Sequence, residues 1–333
     1  MYTSIVKGVG HYVPENVVTN EDLTKLMDTT NEWIVERTGI TERRFFTEGK
    51  DTTSTMAAEA SKVALERAGL EASDIDLIVF ATITPDYYFP GSGVLLQRQL
   101  GIAGVPALDV RNACSGFVYG VSVADQFIKT GMYKTVLVVG SEVQSSGLQM
   151  NTEGRGVAVI FGDGAGAMIL QRGEEESGRG VLSTHLHADG NFAEELCMKY
   201  PSSSYKPWMT HEMVDDPGSK AYMNGNLVFK HAVVRFMEVI GEALAANKIP
   251  KEDIDMLVPH QANLRISEFV RQKLGLPKEK VYNNIMRYGN TTGASIPIAL
   301  SEAWAEGKIK EGDLVCLAAF GSGFTWASSL IRW

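Results

Sequence analysis

An internal duplication is the feature of this 333-residue sequence that most restricts how it can fold. The segment SDIDLIV at 73–79 resembles EDIDMLV at 252–258, and Asp74 corresponds to Asp253, a shift of 179 in sequence number. In the helical pattern that precedes each segment, an Ala-Leu pair recurs at the same shift. One such match alone would be weak evidence, because any two strand–helix units resemble each other.

Two further matches follow in the same order along the chain. The segment KTVLVVGSE at 134–142 resembles GDLVCLAAF at 312–320, at a shift of 178. The segment GDGAGAMILQR then resembles the C-terminal GSGFTWASSLIRW. Because the matches keep their order at nearly one shift, we predict two related halves, 1–172 and 173–333, packed into one body.

Each half alternates strand-like and helix-like patterns, which predicts an α/β fold. The pattern TSTMAAEASKVALERAG has apolar residues at helical spacing and ends at Gly69, and LVFKHAVVRFMEVIGEALAANK is similar. Short apolar runs predict the strands, namely DLIVFATI, VPALDV, KTVLVVGS, AMILQ, DMLVP, DLVCLAAFG and SSLIRW.

Charge and cysteine content exclude several classes of function. The net charge of -9 argues against nucleic acid or an anionic membrane as the main partner. The cysteines at 114, 197 and 316 lack CxxC spacing, so neither a disulfide framework nor a metal site is expected. No signal-peptide pattern and no membrane-length apolar run is visible, so we expect a cytoplasmic protein.

Two glycine-rich segments resemble nucleotide-binding motifs only superficially. In GVGHYVP, Pro14 stands where a phosphate-binding helix would run. The segment GDGAGA precedes a predicted strand instead of a helix, so we expect its glycines to allow close packing. Neither segment is assigned to a nucleotide.

Cys114 lies where the strand-like VPALDV gives way to the helical pattern SGFVYGVSVADQFIKTG. A thiol at the N-terminus of a helix has a lowered pKa, and Ser115 is a candidate cap for that helix. The alternative is a small, buried and inert cysteine, since free cysteines are usually buried. Cys114 considered alone favours that alternative.

Two polar residues in the second half change this balance. His260, in LVPHQAN, follows a predicted strand, and Asn290, in YGNTTGAS, lies in a glycine-flanked loop before a helix. Each alone is compatible with an ordinary structural histidine or a turn asparagine. Duplicated halves would bring these loops to a shared crevice, where Cys114 would face two hydrogen-bond donors.

The segments NACSGF, VPHQANLRI, YGNTTGAS and FGSGFTW, with NEWIVERTGITER, resemble the β-ketoacyl-ACP synthase III family. These are thiolase-fold condensing enzymes that begin bacterial fatty acid synthesis. The resemblance implies two halves in α-β-α-β-α layers and a triad of Cys114, His260 and Asn290. It also implies an oxyanion hole from the backbone N–H groups of Cys114 and Ser322, although the family often has glycine at the second position.

The reaction implied by the resemblance has two stages and needs no cofactor beyond CoA thioester substrates. An acyl-CoA primer, acetyl-CoA by default, acylates Cys114. Malonyl-ACP then loses CO2, and the resulting enolate attacks the acyl-cysteine to give 3-oxoacyl-ACP. Because decarboxylation makes the carbanion, the site needs donors to the malonyl carbonyl, a role implied for His260 and Asn290.

The resemblance also implies contacts for the substrate and for a homodimer. Trp33, Arg37 and Arg155 match positions that hold the CoA nucleotide, and Phe89 matches a residue that reaches the partner subunit's acyl pocket. Without the resemblance, Trp33 and Arg37 would be interpreted as part of a surface helix. The remaining predicted substrate contacts, mostly along the pantetheine channel, are Met223, Asn226, Phe229, Asn263 and Phe320.

The carrier protein is acidic, so its docking requires a local basic patch on this acidic chain. The run from 261 to 265 matches the family's carrier-binding segment, and Arg235 and Arg271 are equally well interpreted as part of a solvated helix face. A longer segment at 201–219 is hypothesised to cap the acyl tunnel. The predicted carrier contacts are Gln261, Ala262, Asn263, Leu264, Arg265, Lys230 and Lys273.

Several alternatives use related chemistry. A synthase III-type enzyme of secondary metabolism would use the same triad with other acyl groups. A hydroxymethylglutaryl-CoA synthase would need a catalytic glutamate, and a thiolase would need a second cysteine in LAAFGSGF, which is absent. A non-catalytic acyl-binding partner usually lacks the nucleophile, so the presence of Cys114 favours an enzyme.

Overall fold

The computed structural model describes residues 2–174 and 178–333. Two larger sheets carry the fold, and two short two-stranded sheets lie on loops. The strands are β1 (Tyr2–Tyr12), β2 (Asn16–Thr19), β3 (Glu42–Phe45), β4 (Leu77–Ala81), β5 (Ala107–Val110), β6 (Thr135–Glu142), β7 (Gly164–Glu174), β8 (Gly180–Ala188), β9 (Leu196–Cys197), β10 (Tyr222–Met223), β11 (Met256–Pro259), β12 (Leu314–Gly321) and β13 (Thr325–Arg332).

The helices alternate with these strands, which confirms the predicted α/β fold. No helix within the described ranges is both long and apolar enough to cross a membrane. The α-helices are α1 (Asn20–Thr24), α2 (Asn31–Thr38), α3 (Thr53–Ala68), α4 (Ser92–Leu100), α5 (Gly116–Lys129), α6 (Arg155–Ala158), α7 (His211–Asp215), α8 (Gly225–Asn247), α9 (Leu264–Leu274), α10 (Ile285–Tyr288) and α11 (Ser295–Ala305).

The two larger sheets have the same strand order. The first runs β1-β7-β6-β4-β5 and the second runs β8-β13-β12-β11. Each sheet has one equivalent parallel pair, β4 with β6 and β11 with β12, and the strand beyond it, β7 or β13, is antiparallel. A parallel bridge between Leu257 and Val281 stands where β5 pairs with β4. The halves therefore repeat one topology.

The strand register shows that equivalent residues of the two halves are separated by a single shift in sequence number in the parallel strands. Ile78 lies opposite Leu137 in the first sheet, and Leu257 lies opposite Cys316 in the second. Both members of the second pair follow their counterparts by the same shift of 179 that relates Asp74 to Asp253. The shift of 178 predicted for the second sequence match is therefore wrong by one residue, because a one-residue slip would turn every side chain of the strand to the opposite face.

Helices cover both sheets and also separate them. Helices α3 and α4 pack on the outer face of the first sheet, and α8 and α9 pack on the outer face of the second. Helices α5 and α11 lie between the sheets, in a core that contains residues of both halves. Helix α11 is buried at each residue from Ser295 to Ala303, as a helix between two sheets must be.

The glycines of GVGHYVP serve packing. They lie in β1 against α3, and a Cβ added to Gly8 would approach the carbonyl oxygen of Ala64 to 2.2 Å. The absence of side chains at these positions lets the helix backbone approach the strand. The segment GDGAGA leads directly into β7, as predicted.

The sequence patterns missed two long strands at the sheet edges. β1 and β8 each pair with one neighbour in the larger sheets. Their mixture of glycine, lysine and histidine with apolar residues hides the alternation on which strand prediction depends. The predicted division after residue 172 falls within β7, whose described residues end at Glu174.

Candidate active site

Cys114 lies in the single turn Ala113–Ser115 between β5 and α5. Ala113 has φ of 45°, a left-handed conformation that is uncommon outside glycine, so the turn is sharply bent just before the cysteine. Cys114 is 6% exposed. The predicted Ser115 cap is wrong, because the Ser115 hydroxyl donates to the Thr325 carbonyl at 3.0 Å instead of capping α5.

The pKa of the Cys114 thiol is raised to about 12, chiefly by burial and then by the carboxylate of Glu142. The expected lowering by the helix end is therefore not the dominant effect, because loss of solvation outweighs it. The backbone N–H groups of Cys114 and Ser322 act in the opposite direction and favour the thiolate. These are the two groups that the sequence resemblance assigned to an oxyanion hole.

The second half touches Cys114 through Gly321, the last residue of β12. A Cβ added to Gly321 would lie 2.5 Å from Cys114 Cβ and 2.9 Å from Sγ. Only glycine allows the strand to approach the cysteine this closely. The candidate nucleophile is thus positioned at the boundary between the halves.

His260 follows directly after β11, and its backbone N–H donates to the Ala318 carbonyl at 2.8 Å. Its ring Nδ1 lies 2.6 Å from Ser295 Oγ. Its Nε2 is buried and has no hydrogen-bond partner among the described residues. Burial lowers the pKa of His260 to about 3, so the imidazole is neutral at pH 7.

Asn290 is held by its backbone and by one side of its amide. Its N–H donates to Ile160 and its carbonyl accepts from Gly162. Its Oδ1 accepts from the backbone N–H of Thr292 at 2.8 Å, which identifies Nδ2 as the other end of the amide. Within the described ranges, Nδ2 makes no hydrogen bond to another residue, so it remains a free donor.

The structure brings the elements that carry the predicted triad together. The turn Ala113–Ser115 contacts the turn Thr292–Ala294, which follows Asn290, and also contacts β12. His260 is joined to this region through Ser295, the residue after the second turn. Two side-chain nitrogens without hydrogen-bond partners among the described residues, His260 Nε2 and Asn290 Nδ2, therefore lie in the half that faces the candidate nucleophile.

The predicted nucleotide contacts also lie together. The guanidinium of Arg37 lies 4.4 Å from the ring centre of Trp33, and that of Arg155 lies 4.8 Å from it. Arg155 also donates to the carbonyl of Asp28. A flat aromatic ring with two guanidinium groups suits a base and its phosphates.

A cavity of about 190 Å³ lies next to this cluster. Its wall includes Met223 and residues on either side of Arg155, from Glu153 to Val157. Phe229 and the exposed Asn226 lie on the first turns of α8, immediately after β10, which contains Met223. The predicted channel contacts Met223, Asn226 and Phe229 are thus neighbours at one end of α8.

Two other predicted substrate contacts have clear structural roles. Phe320 is buried and its ring lies 4.9 Å from that of Phe324. Asn263 caps α9 by accepting from the Arg265 N–H, and its Nδ2 donates to the Arg37 carbonyl at 2.8 Å. Asn263 therefore links the helix that carries Trp33 to the segment that carries His260.

Phe89 is 79% exposed and follows the exposed Tyr88. The ring of Trp208, from the longer segment at 201–219, meets Tyr88 edge-on with ring centres 4.8 Å apart. The longer segment thus contacts the loop that carries Phe89. This contact supports the hypothesis that the segment influences the acyl site, which stays a prediction.

The predicted carrier-protein contacts separate into buried and exposed residues. Gln261 is only 3% exposed and its amide bonds to four backbone groups, so it is not available to a docked protein. Arg235 pairs with Glu238, and Arg271 pairs with Glu268. Ala262, Asn263 and Leu264 are half-buried, and the exposed contacts are Arg265, Lys230 and Lys273.

Sequence patterns did not single out two residues of the site, Ser295 and Glu142. Glu142 is fully buried and accepts from Thr82, Ile83, Thr84 and the N–H of Gly293. An acidic residue at the end of the apolar run KTVLVVGSE was a signal of a buried carboxylate. Ser295 had no such signal, because its contact with His260 forms only when distant segments meet.

Comparisons with known proteins point to one family. The model described as 3-Oxoacyl-[acyl-carrier-protein (ACP)] synthase III matches residues 108–190, and the model of the C terminal of that synthase matches 244–333. A beta-ketoacyl-[acyl-carrier-protein] synthase III of Caldanaerobacter subterraneus is 46% identical over 98% of this chain and 97% of its own. One of Alkalilimnicola ehrlichii is 48% identical over 100% and 99%.

A solved structure gives the same result for the fold. The 3-oxoacyl-[acyl-carrier-protein] synthase III from Aquifex aeolicus superposes with a TM-score of 0.90 at 43% identity. The match covers 99% of this chain and 100% of that one. The two chains therefore share one architecture from end to end.

Proposed function

The chain belongs to the 3-oxoacyl-[acyl-carrier-protein] synthase III family, and we propose that Cys114 is its nucleophile and that His260 and Asn290 donate hydrogen bonds to its second substrate. The sequence resemblance to this family and the thiolase-like fold are confirmed. The protein is an acyltransferase that catalyses the initiating condensation of fatty acid synthesis. The proposal assigns each of the two stages of that reaction to individual residues.

In the first stage, Cys114 Sγ attacks the thioester carbon of an acyl-CoA. The new C–S bond forms, the bond to CoA breaks, and CoA leaves as its thiol with the proton that Cys114 loses. The backbone N–H groups of Cys114 and Ser322, which favour negative charge at the sulfur, would stabilise the oxyanion of the tetrahedral intermediate. In the free enzyme, the raised pKa of the Cys114 thiol keeps it protonated until a substrate arrives.

In the second stage, malonyl-ACP loses CO2, and the electron pair of the broken C–C bond becomes an enolate. The enolate carbon attacks the acyl carbon on Cys114, and the Cys114 C–S bond breaks to release 3-oxoacyl-ACP. The Cys114 sulfur leaves as a thiolate, and a proton from water restores the thiol. Negative charge on the enolate oxygen needs two donors. His260 Nε2 and Asn290 Nδ2 are two side-chain nitrogens that this fold leaves without hydrogen-bond partners among the described residues.

That pair of unpartnered donors is the observation that carries the proposal. Buried polar groups in folded proteins nearly always have hydrogen-bond partners. His260 Nε2 lacks one within the described ranges although it is buried, and it lies in the half that contacts the turn of Cys114. A substrate oxygen would supply the missing acceptor.

The substrates and partners follow from the surrounding residues. Trp33, Arg37 and Arg155 suit the nucleotide of CoA, and the cavity beside Met223 suits the pantetheine arm. The exposed contacts proposed for the acidic carrier protein are Arg265, Lys230 and Lys273. We place the enzyme in the cytoplasm, where free thiols such as Cys114 stay reduced.

A homodimer accounts for the exposed aromatic loop. Tyr87, Tyr88 and Phe89 are 55%, 53% and 79% exposed, and a contiguous exposed apolar patch of this kind marks an interface. Burial of this loop against a second copy would remove it from water and bring Phe89 to the partner's acyl pocket. Sedimentation equilibrium of the wild type and of Phe89→Asp tests the assignment, and a monomeric wild type would contradict it.

The nucleophile is tested by intact mass spectrometry after incubation with acyl-CoAs of increasing chain length. The wild type is expected to gain the mass of one acyl group, and Cys114→Ala to gain none. Cys197→Ala is the matched control, because Cys197 is a free cysteine that is more accessible than Cys114. Labelling that persists in Cys114→Ala would overturn the proposal, and the preferred chain length would identify the primer.

A further inference from the structure

We propose that Ser295 is a positioning residue that sets the tautomer of His260, holding the ring proton on Nε2, where it faces the substrate. The inference rests on the proposed donor role of His260. It adds a residue that touches no substrate and acts through the ring. Its evidence is the hydrogen-bond arrangement around three buried residues.

The geometry places the Ser295 hydroxyl against one ring nitrogen only. Ser295 begins α11 and is 2% exposed, and its Oγ lies 2.6 Å from His260 Nδ1. The backbone N–H of Gln261 donates to the same Oγ at 3.3 Å. One lone pair of the hydroxyl oxygen is therefore already occupied by a donor that cannot reverse its role.

The imidazole carries a single proton, because burial lowers the pKa of His260 far below neutral pH. That proton is on Nδ1 or on Nε2. In the first case, Nδ1–H donates to Ser295 Oγ, and Oγ then accepts twice. The Ser295 O–H would have no acceptor among the residues that the structure describes, which is unfavourable for a buried hydroxyl.

In the second case, the Ser295 O–H donates to Nδ1, and Oγ accepts from the Gln261 N–H. All three groups are then satisfied, and the ring proton is on Nε2. Nε2 lacks a partner among the described residues in both cases, so it does not decide between them. The hydroxyl decides, and it favours Nε2–H.

For the reaction, this tautomer makes His260 Nε2 a hydrogen-bond donor to the substrate oxygen instead of an acceptor. A thioester carbonyl or enolate oxygen only accepts hydrogen bonds. Nε2–H can donate to it, whereas an unprotonated Nε2 would place a lone pair against the oxygen's lone pairs. The wrong tautomer would therefore oppose the charge that develops in the second stage.

Gln261 keeps this arrangement in place. Its Nε2 donates to the carbonyls of Pro259 and Tyr282, and its Oε1 accepts from the N–H groups of Asn284 and Ile285. These bonds tie the end of β11 to the segment before Asn290. The Gln261 N–H therefore points at Ser295 from a rigid frame.

The duplication shows that the serine belongs to the donor half alone. In the first half, the position that corresponds to Ser295 at the shift of 179 is Gly116, which begins α5 next to Cys114. A helix start in this fold therefore does not require a serine. Ser295 is present where a histidine needs to be oriented.

The first test reads the tautomer directly in the full-length enzyme. The protein is labelled with 15N-histidine, and long-range 1H–15N correlation spectra distinguish a protonated ring nitrogen from an unprotonated one. The His260 signals are assigned by their loss in His260→Gln. Wild type is expected to show Nε2–H, and Ser295→Ala is expected to lose that preference. A wild-type ring protonated at Nδ1 would overturn the inference.

The second test separates the two stages of the reaction. Ser295→Ala is expected to acylate Cys114 at a rate within about 3-fold of wild type, while condensation with malonyl-ACP falls by at least about 10-fold, part of the effect of losing a whole donor. Ser295→Thr, which keeps the hydroxyl, is expected to retain both the tautomer and most of the condensation rate. An equal loss in Ser295→Thr and Ser295→Ala would contradict the role of the hydroxyl.

A matched control lies on the same helix. Ser301 is buried on α11, and its Oγ lies 2.8 Å from Nδ1 of another histidine, His11. Ser301→Ala removes a comparable hydroxyl–imidazole contact away from the site and is expected to leave condensation unchanged. An equal loss in Ser301→Ala and Ser295→Ala would show a merely structural effect and would sink the inference.

These outcomes are distinct from a failure of the proposed function. If His260→Ala, which has no side-chain donor, condenses at the wild-type rate, the donor role is wrong whatever the tautomer. If His260→Ala is inactive but wild type carries the proton on Nδ1, only the role of Ser295 is wrong.

Discussion

The turn that carries Cys114 and the turn that follows Asn290 are copies of one local structure. The first begins at Ala113 with φ of 45°, and the second begins at the corresponding residue of the other half, Thr292, with φ of 49°. Each turn leads directly into a helix between the sheets. At the central position, however, the first turn has Cys114 and the second has Gly293. The two halves thus keep the same strained backbone turn but have different residues at its centre.

The strands opposite these turns differ in the same reciprocal way. β12 ends at Gly321, which lies against Cys114. β6 ends at Glu142, which accepts from the N–H of Gly293 at 3.4 Å. A glycine thus leaves space for the proposed nucleophile in one half, and a buried carboxylate fixes the glycine turn in the other. The two halves therefore share one backbone arrangement. The chemistry of each half depends on whether the glycine lies in the turn or at the end of the opposite strand.

The largest effect is expected from removing a donor of the second half. Asn290→Ala deletes the free Nδ2 group, and condensation is expected to fall by about 10²- to 10³-fold. Acylation of Cys114 does not use this donor and should continue. The two rates are measured by product formation with malonyl-ACP and by intact mass with acyl-CoA. An equal loss of both rates would contradict the assignment of Asn290 to the condensation stage.

The buried carboxylate should be visible in the pH dependence of stability. Burial raises the pKa of Glu142 from its ordinary 4.5 to about 7. The folded state then binds the proton more tightly than the unfolded state, so the contribution of Glu142 to the free energy of unfolding should fall by about 3 kcal/mol as pH rises from 4.5 to 7. Glu142→Gln is expected to remove this contribution, as measured by urea unfolding at fixed protein concentration.

Glu268 provides the control for that experiment. Its hydrogen bond with Arg271 lowers its pKa to about 2, so its titration affects stability only below about 4.5. Glu268→Gln should leave the slope between pH 4.5 and 7 intact. A pH dependence of the free energy of unfolding that is the same in Glu142→Gln and in wild type would contradict the raised pKa of Glu142.

The close approach of Gly321 predicts a smaller but specific effect. Gly321→Ala would push a methyl group against Cys114 at a cost of about 1–3 kcal/mol. A displaced nucleophile should lower the acylation rate by about 10- to 100-fold. Gly241 of α8 has open space at its Cβ position, so Gly241→Ala is the control and should leave acylation unchanged. Normal acylation in Gly321→Ala would contradict the tight contact.

The smallest effect concerns a helix end where the halves differ. Helix α3 ends at Gly69 with φ of 65°, and α8 ends at the corresponding residue, Lys248, with φ of 54°. Glycine adopts this conformation without the penalty of a side chain, so Lys248→Gly should stabilise the protein by about 1 kcal/mol and Gly69→Lys should destabilise it similarly. Urea unfolding measures both, and a destabilised Lys248→Gly or a stabilised Gly69→Lys would refute the equivalence of the two ends.

Much of the fold was predictable because it is local or repeated. Apolar runs of strand length marked the central strands, and Gly69 marked the end of α3. The edge strands β1 and β8 were missed, because their pairing depends on distant neighbours and leaves little alternation in the sequence. The register error of one residue arose from similarity at the ends of a short run.

The candidate site also has one part that was predictable from the sequence and one part that was not. By itself, the sequence indicated the proposed reactive residues: a cysteine before a helix, a histidine after a strand and an asparagine in a glycine-flanked turn. Only the tertiary structure decided their states. Burial keeps Cys114 a thiol and His260 neutral, Ser295 orients the imidazole, and Gln261 is removed from the surface. The residue type fixes the chemistry of a side chain, whereas its solvation and its hydrogen-bond partners are set only when distant segments pack together.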